Sequence, residues 1–219
     1  KSVKRATYYN MVNNNMNAEK LIPYENIDPD FAIEAAKIID RLSSGAEAQE
    51  KPIFIHMCGI PGAGKSTVAD KYYAENLENK DYVLIDFDRV MAEIEGYKQD
   101  RELDPAGAYK KWSPLAASIG YKMLQMMIEG KRNILLDHGA SPHAHKDLLT
   151  IARDKYGYSL KMIYVACDPD TALARIKLRE QATKRHTPAS LIYERQKLID
   201  DILPDYKKLV DSFESVDNG

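Results

Sequence analysis

The run Gly59-Ile60-Pro61-Gly62-Ala63-Gly64-Lys65-Ser66 constrains this chain more than any other stretch. Its spacing, G-x-x-x-x-G-K-[ST], is that of a phosphate-binding loop. Glycines let the backbone close into a nest whose N–H groups face an anion. The helix that follows adds unpaired donors and the positive end of its dipole. The motif assigns Gly59, Gly62, Ala63, Gly64, Lys65, Ser66 and Thr67 to ATP, with Lys65 on the β- and γ-phosphates and the Ser66 hydroxyl on Mg²⁺. The flanks agree. Ile53 to Cys58 is an apolar run after Pro52 and reads as a buried strand, and Ser66 to Ala74 has no breaker and reads as a helix.

Further strands are expected at Tyr82–Asp86, Asn133–Asp137 and Leu160–Cys167, with an edge strand at Phe213–Asp217. Helices alternate with them. One opens at Asp28-Pro29 and carries Phe31, Ala35, Ile38 and Leu42, and a short one carries Val90, Met91 and Ile94. Another starts at Asp104-Pro105 and ends near Gly130, and His143 to Tyr156 follows. A helix after Asp168-Pro169 leads into a basic turn, Gln181 to His186. A long helix opened by Pro188 runs through Ile202 and on past Pro204. The alternation predicts an α/β fold of the P-loop NTPase kind, three layers with a mostly parallel sheet of about five strands. Residues 1–50 read as an N-terminal arm and helix, and residues 51–219 as the P-loop domain. Tyr8, Tyr9 and Asn13 to Asn15 fall in the arm.

Bulk properties narrow the partners. A chain of 219 residues with 44% hydrophobic content suits one domain with its own core. A net charge of −2 weighs against a nucleic-acid surface, and the basic clusters Lys110-Lys111, Lys131-Arg132 and Lys184-Arg185 are short. Cys58 and Cys167 each end an apolar run and read as reduced core thiols. No apolar run reaches spanning length, which predicts no membrane association and a cytoplasmic protein. The chain begins with Lys, so a secreted effector with a missing upstream segment stays open.

In open α/β sheets ligands bind at the carboxyl ends of the strands, where Asp86, Asp88 and Asp137 fall. On an extended backbone Asp86 and Asp88 share a face, one toward a metal and the other toward a substrate hydroxyl. The competing role for Asp88 is to cap a helix beginning at Arg89. Asp137 ends an apolar strand, as a Walker B acid does, and would hold Mg²⁺ through water or hold the acceptor. Arg175 and Arg179 lie on one helix face, and Lys184-Arg185 follows; such cations would close over the transferring phosphate. His143 and His145 diverge on a helix start, so His138, His143 and His145 read as structural or substrate-contacting groups rather than a zinc set.

No N-K-x-D guanine signature occurs. The D-x-x-G strings Asp104–Gly107 and Asp154–Gly157 follow no strand, and the third strand ends in a single acid. A small-molecule kinase fits these absences better than a GTPase or a motor. Gly59 to Thr67, Ile85-Asp86-Phe87-Asp88, the strand ending in Asp137, Arg179 and Arg185-His186-Thr187-Pro188 together resemble the zeta-toxin-type kinases, from about Pro52 to about Val210. The resemblance implies transfer from ATP to a sugar hydroxyl of a nucleotide sugar such as UDP-N-acetylglucosamine. It places Asp88 as the base, Lys65 as the loop lysine and Arg179 and Arg185 as lid arginines, with Arg175 a rival for the first. It also raises an inhibitory, antitoxin-like protein partner. Asp137, His138 and Asp88 are then the acceptor contacts, and Ser66 and Asp86 the metal contacts. The chain departs from the family at Asp137-His138-Gly139-Ala140-Ser141, where a glutamate and a Gly-Thr type turn are usual. Other acceptors, a dinucleotide such as NAD or a polynucleotide 5′ end, and a non-catalytic nucleotide-gated binding module remain the alternatives.

Overall fold

Two short runs have no polar face: β1 (Ile53–Cys58) and β3 (Asn133–Asp137) bury side chains on both sides. Strands of that kind need cover on both faces, which a parallel sheet between helix layers supplies. With β2 (Tyr82–Asp86), β4 (Ser159–Ala166) and β5 (Ser212–Asp217) they form one sheet ordered β2-β3-β1-β4-β5, every pairing parallel. The computed structural model describes residues 20–22, 24–76, 82–139 and 143–219. The predicted arm, with Tyr8, Tyr9 and the Asn13–Asn15 run, and Ala140 to Pro142 lie outside the described residues.

Eight α-helices cover the sheet among the described residues: α1 (Ala32–Leu42), α2 (Lys65–Asn76), α3 (Phe87–Glu93), α4 (Glu95–Leu103), α5 (Pro105–Glu129), α6 (His143–Tyr156), α7 (Pro169–Thr183) and α8 (Ser190–Leu209). Caps read in the sequence do their work. Asp28 accepts from the Asp30 N–H, Asp168 from the Thr171 N–H and Asp104 from the Gly107 N–H at 3.0 Å, each followed by proline in the first turn. Helix α1 shares the main core through Ala35, Ile38 and Ile39.

Two expectations are corrected. Helix α4 was not foreseen, because Tyr97 is its one buried residue and the rest of Glu95–Leu103 is polar or exposed. The basic turn after the fourth strand is shorter than read, since α7 continues to Thr183 and stops where Lys184 takes a left-handed conformation (φ 54°). Arg179 therefore lies on the helix, as expected, and Arg185 on the segment that turns back after Lys184.

Helix α5 places Tyr109, Ser113 and Tyr121 beside the sheet's carboxyl edge, so its start matters to the site. Replacing Asp104 with Ala should lower stability by about 1 kcal/mol, the usual worth of an N-cap. A urea titration measures it, and an unchanged midpoint would mean that α5 does not depend on this cap.

Candidate functional site

Chain direction brings β1, β3 and β2 to the same edge, and β1 is the strand beside which the order reverses. Met57 pairs with Asp137, and Asp137 with Asp86, so the two carboxylates end adjacent strands directly below the loop that follows β1. That loop needs its glycines. Gly62 and Gly64 have φ of 83° and 87°, in the left-handed region. A Cβ on Gly62 would lie 2.5 Å from the Ala172 carbonyl oxygen, so α7 packs against the loop with no room for a side chain.

Lys65 opens α2, and its ammonium donates to the Ile60 carbonyl at 3.0 Å, which also accepts from the Ala63 N–H. Burial draws the Lys65 ammonium below its ordinary value, with Asp137, Cys58 and Asp86 pulling it back. The Ser66 hydroxyl donates to Asp137 Oδ2 at 2.7 Å. Of the two carboxylates expected near the metal, Asp137 is the one that Ser66 touches, and Asp86 lies one strand further. Burial, and then the charge of Asp137, raise the Asp86 carboxyl above its ordinary value, while Arg185 opposes.

The idea that Asp86 and Asp88 share an extended face is also corrected. The strand ends at Asp86, whose Oδ1 accepts from the Asp88 N–H at 2.8 Å and the Arg89 N–H at 3.4 Å. Asp86 is thus the cap of α3, which begins at Phe87, and Asp88 is a first-turn residue rather than a cap. The cap turns the Asp88 carboxylate into the cleft, where it pairs with the Arg185 guanidinium. Arg179 donates to the Thr187 hydroxyl at 2.5 Å. The Nε atoms of Arg179 and Arg185 are buried without a hydrogen-bond partner. Arg175, by contrast, is committed to the Asn218 carbonyl at 2.7 Å.

These groups line one cavity of about 550 Å³ that includes Gly59, Gly62, Gly64, Lys65, Ser66 and Thr67 on one side and Asp88 and His138 on the other. Ala63 lies beneath, fully buried. Sequence reading missed Tyr109, Ser113 and Arg195, which line the cavity from α5 and α8. Only a folded molecule brings those helices there.

His138 rests on a chain of uncharged rings. The Met57 carbonyl can only accept, so His56 Nδ1 carries the proton at 2.8 Å. His56 Nε2 then accepts from His145 Nδ1 at 2.9 Å, and His145 Nε2 accepts from the Tyr121 hydroxyl at 3.0 Å. Burial lowers His56 to about 4 and, helped by His56, Arg195 and Lys65, lowers His138 to about 3. The His138 ring lies 4.8 Å from that of His145 and 4.3 Å from that of Phe87, and its Nδ1 is buried with no partner. His143 is exposed, away from this chain. The one local signal for the chain was His56 itself, a polar residue inside an apolar strand.

The donor set suits a magnesium ion bound with a nucleotide. Mg²⁺ takes one or two carboxylates and completes its shell with phosphate oxygens and water. Asp137 and Asp86 supply the carboxylates, Ser66 a hydroxyl, and the mutual repulsion of the two acids is what a cation would relieve. Among the described residues no group of three or more His, Cys, Asp or Glu side chains makes an all-protein metal site.

A parallel sheet in this order with a glycine loop after β1 defines a P-loop α/β protein of the kinase-like kind. The family model for zeta toxins matches residues 37–214. The chain therefore belongs to the zeta toxin family. Among solved structures, a chain from the PezAT chromosomal toxin–antitoxin system of Streptococcus pneumoniae aligns with a TM-score of 0.69 at 17% identity, covering 91% of this chain and 81% of that one. A chain of the AvrRxo1-ORF1:AvrRxo1-ORF2 complex, solved with sulphate ions, aligns with a TM-score of 0.60 at 15% identity, covering 87% and 65%. At such identities these neighbours speak for the fold. A search of curated protein sequences returned no match.

The histidine shifts carry a sign. A histidine depressed in the folded state binds fewer protons than in the unfolded chain, so its contribution is intact above pH 6.5 and is lost as pH falls toward about 4. Stability measured by denaturant titration should fall steadily across that window, and His56→Gln should make the fall shallower. Equal slopes in the two proteins would show that His56 is not held neutral by the fold.

Proposed function

We propose that the chain is an ATP-dependent kinase that phosphorylates a hydroxyl of a nucleotide sugar of the UDP-N-acetylglucosamine type. One observation carries the reading: Asp88 and the lid residue Arg185 face the same cavity as Lys65 and Ser66, so base, cations and phosphate loop converge.

In this reading Gly59, Gly62, Ala63, Gly64 and Thr67 cradle the triphosphate, and Lys65 exchanges the Ile60 carbonyl for the β- and γ-phosphate oxygens. Ser66, Asp137 and Asp86 hold Mg²⁺, which when bound screens the phosphate charge. The acceptor hydroxyl enters between Asp88 and His138. Asp88 takes its proton as the oxygen attacks the γ-phosphorus, the bond to the bridging oxygen breaks, and ADP leaves beside a phosphomonoester. Arg179 and Arg185 supply cations for the moving phosphoryl group; Arg175 is engaged elsewhere, which favours Arg179 as the first lid arginine. His138 stays neutral and offers Nδ1 to the acceptor. Residues 51–219 form the kinase domain, and α1 from residues 1–50 braces it.

Family membership extends the reading to a protein partner that closes the cleft, as a toxin–antitoxin pair would. No helix of the described residues is long and apolar enough to cross a membrane.

The test is incubation with Mg²⁺-ATP and a panel containing UDP-N-acetylglucosamine, other nucleotide sugars, NAD and a single-stranded 5′-hydroxyl oligonucleotide. A phosphorylated nucleotide sugar is expected. Product from NAD or the oligonucleotide alone would move the acceptor class, and ATP binding with no product from any of them would favour a nucleotide-gated module. Asp88→Asn should cut turnover by about 10²- to 10⁴-fold, the usual worth of a general base, with ATP affinity retained. Unchanged turnover would remove Asp88 from this role.

A further inference from the structure

The phosphate loop is held from outside by the residue that directly follows the far edge strand. Its amides can face an anion only if the peptide carbonyls between them face away. An outward carbonyl that is buried needs a donor. Ala63 is fully buried, and its carbonyl accepts from the Asn218 side-chain amide at 2.7 Å, across 155 residues of sequence. Asn218 is itself fixed twice. Its N–H donates to the Ala166 carbonyl at 2.9 Å, extending the β4–β5 ladder, and its carbonyl accepts from Arg175 Nη1 at 2.7 Å. A Cβ on Gly64 would lie 2.3 Å from Asn218 Nδ2, so the loop glycine leaves the space this amide fills.

From this geometry we infer that Asn218 is a positioning residue for nucleotide binding: its side-chain amide pins the Ala63–Gly64 peptide so that the loop's N–H groups stay turned toward the triphosphate. The inference rests on the kinase reading only for the identity of the ligand. Arg175, an arginine of α7 that lines the cavity, takes part by turning its Nη1 onto the Asn218 backbone carbonyl. The device is specific to a neutral donor. Aspartate has the same shape as asparagine but only accepts, so it would set two oxygens against each other and bring a negative charge toward the phosphates.

The experiment compares the wild-type chain with Asn218→Asp and Asn218→Ala. It measures Mg²⁺-dependent binding of a fluorescent ATP analogue and, separately, the unfolding midpoint without nucleotide. Leaving one buried carbonyl unsatisfied should weaken binding about tenfold in Asn218→Ala, and the added charge should bring Asn218→Asp to about a hundredfold. The nucleotide-free midpoint of each variant is the reference against which its loss of affinity is read, so that affinity and stability separate. Should Asn218→Asp not fold, Asn218→Ala alone decides. Affinity equal to wild type in the folded variants, or a loss that only follows the drop in midpoint, would overturn the assignment to nucleotide positioning. A wild-type chain that binds no ATP analogue would overturn the kinase reading, and this inference with it.

Discussion

A turn that points successive backbone amides at one centre is the element on which the rest depends. It is unfavourable for ordinary residues, and its three glycines, Gly59, Gly62 and Gly64, sit at positive φ, where a side chain would be strained. Such a turn persists only where its surroundings hold it. Here α7 presses on Gly62, the Lys65 ammonium and the Ala63 N–H share the Ile60 carbonyl, and the end of the sheet's far edge reaches Ala63. The sheet order makes this bracing available, because β1 has β3 on one side and β4, followed by β5, on the other.

Around the turn the molecule concentrates charges that would be costly to bury singly. Asp86, Asp137 and Lys65 lie within the cavity wall, and Asp88 and Arg185 hold each other across it. The opposite wall is of another kind: His138, Phe87, Tyr121 and His145 form a cluster of uncharged rings, tied by hydrogen bonds through His56 back to Met57 on β1. The glycine loop and the ring cluster thus both start from β1.

Much of this was legible before folding because the signals are local. The glycine loop, the apolar strands and the caps Asp28, Asp104 and Asp168 are each written in a few consecutive residues. Family resemblance added the family, which the profile match bears out. What escaped depends on distance along the chain. His56 and His145 are 89 residues apart, and Asn218 and Ala63 are 155 apart; no window of sequence contains either contact. The geometry of Asp86 and Asp88 was misread for a different reason: alternation was assumed, whereas a carboxylate able to accept two N–H groups ends a strand and starts a helix. Helix α4 escaped because it has one buried residue and so no apolar stripe.

The most direct measurement is a crystal structure with a non-hydrolysable ATP analogue and Mg²⁺. The account predicts the triphosphate seated against the amides from Gly62 to Ser66, the Lys65 ammonium transferred from the Ile60 carbonyl to phosphate oxygen, and Arg185 released from Asp88. A nucleotide bound away from this loop, or bound in it with Lys65 and Arg185 still on their internal partners, would contradict it.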